Sequence, residues 1–218
     1  HRDLHLSLRR QRQMCIRDRA TTVYAESTPN PKVMKFVANR AIIQGDSVEF
    51  MNIDEAKTSP LAMKLFHFPF VREVFIAKNF VSLTKYDAME WEDVVMEVRE
   101  FIREYLAEGA VVVHEIEEVQ EKETSKESTE TVAPINQQEL GEVEMRIVDI
   151  LDEFVKPAVE SDGGNIRFMS YEEGVVSVLL QGACSGCPSS TVTLKQGIEN
   201  LLKKMLPTLV KEVVAING

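Results

Sequence analysis

The reading of the chain turns on Val175-Val-Ser-Val-Leu-Leu-Gln-Gly-Ala-Cys-Ser-Gly-Cys-Pro-Ser-Ser190. An apolar, β-branched run ends at Gly182, two cysteines follow three residues apart, and Pro188 stands where a helix can open, because its missing N–H loses nothing at a first helical position. Val175 to Gln181 reads as a strand, joined to a second strand over Ile166 to Tyr171 by the short turn Glu172-Glu173-Gly174. Downstream, Val192, Ile198, Leu201, Leu202 and Met205 recur on one side of a helix, and Val210 to Ile216 reads as a closing strand. Upstream, Leu140, Val143, Ile147, Ile150, Leu151 and Phe154 form a helical stripe expected to stop near Pro157, before a turn at Asp162-Gly163-Gly164. The order is α-β-β-α-β, enough to bury a core between one sheet and its helices.

Cys184 and Cys187 sit between that strand and that helix, so a turn can aim both sulfurs at one centre. Gly182 and Gly186 let the backbone pass close to it. The free N–H groups of a helix start favour thiolate over thiol. A bare C-x-x-C fits a cluster site, a redox dithiol, half a zinc site or a disulfide. A thioredoxin-like dithiol would follow the first strand of a β-α-β unit, whereas this pair follows an antiparallel hairpin. Structural zinc and a cubane iron–sulfur cluster each take four ligands, and this region supplies two cysteines and no histidine. Two copies of the chain would supply four thiolates. The residues alone rank cluster binding slightly above the redox and zinc readings.

Composition narrows the rest. Of 218 residues, 44% are apolar and 28% charged, the ordinary balance of a water-soluble fold, and no apolar run approaches the length of a membrane helix. A net charge of −10 argues against nucleic acid, whose binding face must offset phosphate charge. Three cysteines are too few and too clustered for a secreted disulfide framework, which favours a reducing compartment, cytoplasmic or, as the alternative, the mitochondrial matrix.

Four blocks divide the chain. Residues 1–19, Arg-rich and reading like translated sequencing-adapter text, are taken as a leader not native to the protein, and Cys15 is discounted with them. Residues 20–113 read as an α+β unit. Val33 to Val37 and Ser47 to Ile53 are candidate strands, and Ser59-Pro60 opens a short helix through Phe66. Val71 to Ala77 and Phe80 to Tyr86 pair around Lys78-Asn79, with Asn79 suited to a left-handed turn. Trp91, Val94, Val95, Val98, Ile102, Tyr105 and Leu106 form a helical stripe closed by Gly109. His67, between Phe66 and Phe68, is read as a packed residue and not as a ligand. Residues 114–139, rich in Glu, Ser, Thr and Lys, cannot bury enough apolar surface to offset chain entropy and read as a flexible acidic linker that leaves its neighbours free to move. Residues 140–218 complete a fold of two small two-layer α/β domains.

Asp162-Gly-Gly-Asn-Ile166 with Gly182-Ala-Cys-Ser-Gly-Cys-Pro-Ser-Ser190 closely resembles the C-terminal domain of NifU and of the Nfu-type iron–sulfur proteins. Thr28-Pro-Asn-Pro31, Lys35-Phe36, Pro60-Leu-Ala62 and Asn79-Phe-Val-Ser-Leu-Thr-Lys85 before Trp91 resemble the Nfu N-terminal domain. The resemblance implies a scaffold or carrier, not an enzyme. Cys184 and Cys187 would ligate a 4Fe–4S cluster bridged between two subunits of a homodimer. It implies apo iron–sulfur proteins as acceptors and upstream assembly proteins as donors, with no nucleic acid and no membrane among the partners.

Overall fold

The computed structural model describes residues 20–113, 141–185 and 188–217. The leader with Cys15, the linker of residues 114–139, Leu140, Gly186 and Cys187 lie outside the described residues. Two sheet-containing units make up a mixed α+β fold.

The first unit is a five-stranded antiparallel sheet in the order β1-β2-β5-β4-β3. Its strands are β1 (Val23–Ser27), β2 (Val33–Ala38), β3 (Val48–Phe50), β4 (Val71–Ile76) and β5 (Phe80–Lys85). Two helices, α1 (Pro60–Leu65) and α2 (Trp91–Ala107), pack on one face. Ser59 caps α1: its hydroxyl oxygen accepts from the Ala62 N–H at 3.1 Å and donates to Val112 O at 2.6 Å. Loss of such a cap costs about 1 kcal/mol. Phe36, Leu61, Leu65, Val74, Ile76, Leu83, Val98 and Ile102 are fully buried at the centre, with Trp91 set edge-on against Phe36 and Phe70.

Four details depart from the sequence reading, the first being the candidate strand Ser47 to Ile53, of which only β3 forms before the chain turns at Met51. β1 is an additional edge strand: Val23 is buried while Tyr24 is exposed, an alternation too short to stand out beside Thr28-Pro29. The β4–β5 hairpin forms, but Asn79 keeps a negative φ. Its carbonyl is taken by the Ala38 N–H and that of Lys78 by the Ile42 N–H, so the loop is held from outside without a left-handed residue. His67 is exposed, its Nδ1 2.7 Å from Met63 O.

The second unit is a three-stranded sheet in the order β6-β7-β8, with β6 (Gly164–Glu172), β7 (Val175–Gly182) and β8 (Glu212–Asn217). β6 and β7 are an antiparallel hairpin whose turn puts Glu173 at φ 51° and Gly174 at φ 92°, the pair of positive values that matches strand twist. Helix α3 (Glu142–Ile150) runs into a π-helical turn (Leu151–Val155) and on through α4 (Lys156–Ser161). The helix therefore does not stop at Pro157. The wider π turn removes the clash between the proline ring and the preceding carbonyls, and helical structure resumes behind it. The same turn shifts the stripe: Val155 is buried and Phe154 is 49% exposed. Helix α5 (Pro188–Met205) buries Ile198 and Leu202, while Val192 near its start and Met205 at its end are exposed, unlike the stripe expected of them. β8 lies parallel to β7, so α5 is a crossover helix. No helix of the described residues is long and apolar enough to cross a membrane.

The two units touch. Lys35, Val37, Phe75, Phe80 and Ser82, on the sheet face away from α1 and α2, are all buried, and the second unit meets that face at Lys35, Phe75 and Ser82.

Candidate functional site

The cysteine turn begins where β7 leaves its sheet. Gly182 adopts φ 65°, a left-handed value that a side chain rarely tolerates, and its carbonyl accepts from both the N–H and the hydroxyl of Ser185. The Ala183 N–H donates to Gly163 O at 3.3 Å, tying this turn to the Asp162-Gly163-Gly164 turn. Gly164 lies directly under the sulfur. A Cβ placed there would sit 2.8 Å from Cys184 Sγ and 2.6 Å from Gln181 O. The two motifs singled out in the sequence, twenty residues apart, are thus one packed object, and Gly164 is bare because Cys184 occupies the space.

Cys184 itself is 5% exposed and belongs to the core of the second unit. It also lines a cleft of about 640 Å³ together with Phe154, Ala158, Leu194, Leu201 and, from the first unit, Pro29. The exposed ring of Phe154 thereby gains a position: the π turn delivers it to the wall beside the cysteine. Among the described residues no group of three or more His, Cys, Asp or Glu side chains could hold a metal ion. A metal or cluster held at Cys184 must therefore draw on Cys187, outside the described residues, or on another chain.

The helix that follows the turn crosses to a parallel strand, so β7-α5-β8 is a β-α-β unit with Cys184 in the turn between its first strand and its helix. The expectation that topology separates this pair from a thioredoxin-like dithiol is not met. The sequence shows the hairpin on one side of β7, but not which neighbour β8 will choose.

Sequence reasoning did not find Glu49. On β3, it accepts the Gly182 N–H at 2.8 Å, two residues before Cys184. Burial pushes its carboxyl up to about 7, the Gly182 N–H pulls it back, and the nearby Glu73 charge adds to the rise. A lone Glu on a three-residue strand gives no signal in one sequence.

Comparison with known proteins places both units. Residues 23–109 match the family described as scaffold protein Nfu/NifU N terminal, and residues 147–214 match the NifU-like domain. A Drosophila persimilis protein named NFU1 iron-sulfur cluster scaffold homolog, mitochondrial, is 35% identical over 92% of this chain and 67% of its own length. The chain belongs to the Nfu/NifU scaffold-protein family. A Drosophila willistoni Nfu protein of the same name is 36% identical over 87% of this chain and 62% of its own length. The chain thus spans about two thirds of the length of these Nfu relatives. The solution NMR structure of a NifU-like protein from Saccharomyces cerevisiae is 24% identical, covers 45% of this chain and 88% of its own, and superposes with a TM-score of 0.41.

Proposed function

We propose that this protein is an iron–sulfur cluster scaffold whose Cys184 and Cys187, contributed by two copies, hold a 4Fe–4S cluster and release it to apo-proteins. The observation that carries the reading is the turn itself: Cys184 lines a cleft, with Gly164 kept bare beneath its sulfur and no group of three or more metal-ligating side chains among the described residues. A site incomplete in one chain makes cluster holding and dimerisation a single event. It also explains release, since thiolates of an acceptor can replace these ligands one at a time. The cluster is cargo here. The chain's own residues position the Cys184 thiol in the turn. No step of this account lowers a chemical barrier on a substrate, so the protein acts as a carrier and not as an enzyme.

The relatives' names carry the word mitochondrial, which supports the matrix over the cytoplasm. The domain limits proposed are 20–113 and 140–218, joined by residues 114–139.

A second reading has one observation in its favour. The β7-α5-β8 crossover gives the cysteine pair the setting of a dithiol–disulfide exchanger. Anaerobic reconstitution with iron and sulfide separates the two. The scaffold reading expects visible cluster absorption that disappears in Cys184→Ser and in Cys187→Ser. A colourless wild type that reduces a disulfide substrate favours the exchanger.

A further inference from the structure

Antiparallel sheets commonly bury one face and leave the other to water. The first unit's sheet also buries its second face over β2, β5 and β4, leaving Tyr24 on the edge strand exposed. Across its outer face runs one register row, Glu26, Lys35, Ser82, Phe75 and Glu49, and each of the last four meets the second unit or lies beside a residue that does. Lys35 Nζ donates to Ser161 O at 3.2 Å, the Ser82 hydroxyl to Gly163 O at 2.7 Å, and the Gly182 N–H to Glu49 at 2.8 Å. Asn165 Nδ2 donates to Ser47 Oγ at 2.6 Å, and Arg167 pairs with Asp46 at 3.7 Å. Phe75 packs so closely that a Cβ on Gly182 would lie 3.0 Å from its ring. Every second-unit group in this set falls in residues 161–167 or at Gly182, the two segments that build the cysteine turn.

The Thr28-Pro29-Asn30-Pro31 loop completes the contact. Asn30 is 5% exposed; its Nδ2 donates to Ala183 O at 3.4 Å, next to Cys184, while its Oδ1 accepts the Lys32 N–H. Pro29 stands in the wall of the Cys184 cleft.

We propose that the first unit is an intramolecular cap: its outer sheet face and the Thr28–Pro31 loop clamp the cysteine turn, and both must lift away before a second copy or an acceptor can reach Cys184. The occupant of the face is this chain's own second unit, because Lys35, Ser82 and Glu49 each find a backbone partner there, at Ser161, Gly163 and Gly182. The closed state is also poised to open. Asn165 Oδ1 and Gln181 Oε1, neighbours across the β6–β7 pair, are buried without a hydrogen-bond partner. Water reaching them on opening would supply the missing hydrogen bonds. Residues 114–140 supply contour enough, up to roughly 90 Å if extended, for the units to part.

The cap rests on contacts alone; its consequence for cluster loading rests on the scaffold reading. The test uses the full chain and Phe75→Glu, which sets a carboxylate against the cysteine turn without touching the core under α1 and α2. Lys35→Glu serves as a second variant if circular dichroism shows Phe75→Glu unfolded. Small-angle X-ray scattering reports closure, and mass spectrometry of the Cys184 peptide reports its alkylation rate by iodoacetamide. The cap predicts a compact wild type, an extended variant and at least tenfold faster alkylation in the variant. A wild type already extended, or Cys184 rates within twofold in a chain shown to open, overturns it. Iron uptake is read separately: a variant that opens and exposes Cys184, with no iron bound by either protein, upholds the cap and removes the scaffold reading.

Discussion

The Gly182 N–H donates to the Glu49 carboxylate at 2.8 Å, joining the two sheets two residues from Cys184. This acceptor is held at a cost. Burial raises its pKa from 4.5 to about 7, Glu73 adds to the rise, and the one N–H does not compensate. Separation that returns Glu49 to water would lower its pKa, so the docked form is expected to bind a proton more tightly than the separated form. Its stabilising contribution is fully present below about 4.5 and is lost as pH rises through about 7. Scattering profiles of the full chain should show the docked fraction falling between pH 5 and pH 8, and Glu49→Gln should make it flat over that range. A Glu49→Gln chain with the wild-type pH profile would remove Glu49 as the titrating group.

Gly164→Ala tests the packing beneath the sulfur. The added methyl would meet Gln181 O at 2.6 Å and Cys184 Sγ at 2.8 Å, and the carbonyl belongs to a paired strand that cannot yield cheaply. Overpacking of this kind costs about 1–3 kcal/mol. The expected result is a lowered Tm together with a several-fold loss of bound iron. Unchanged iron content would mean that the sulfur can leave its observed place without consequence.

The π turn makes a paired prediction. Val155→Ala should cost about 2 kcal/mol, as a buried truncation does. Phe154→Ala, although it removes more atoms, should stay within ~0.5 kcal/mol because the ring is half exposed. Urea denaturation of the two variants checks the order. The reverse order would place Phe154 in the core and straighten the helix.

Much of this arrangement was readable from single residues. Ser59-Pro60 announced the start of α1, the 3.6-residue stripe from Trp91 to Leu106 gave α2, and Glu172-Glu173-Gly174 gave the β6–β7 turn. The cysteine pair was readable as a turn between strand and helix. What was hidden is the second buried face of the first sheet. β4 and β5 carry apolar residues on both faces, Phe75 and Phe80 on the outer and Val74 and Leu83 on the inner, but the surface that covers the outer face is made of Ser161, Gly163 and Gly182 backbone. Backbone groups leave no hydrophobic periodicity to read. Pro157 misled for a related reason: its rule assumes α geometry, and a π turn removes the clash on which the rule depends.

The central claim is that two chains hold one cluster through Cys184 and Cys187. Native mass spectrometry of anaerobically reconstituted protein, with iron and sulfide counted on the same sample, tests it most directly. The account predicts a mainly monomeric apo-protein and a dimeric loaded form carrying about four iron per two chains. Cys184→Ser and Cys187→Ser should both remain monomeric and without iron. A full iron complement on a single chain, or on either serine variant, would contradict it.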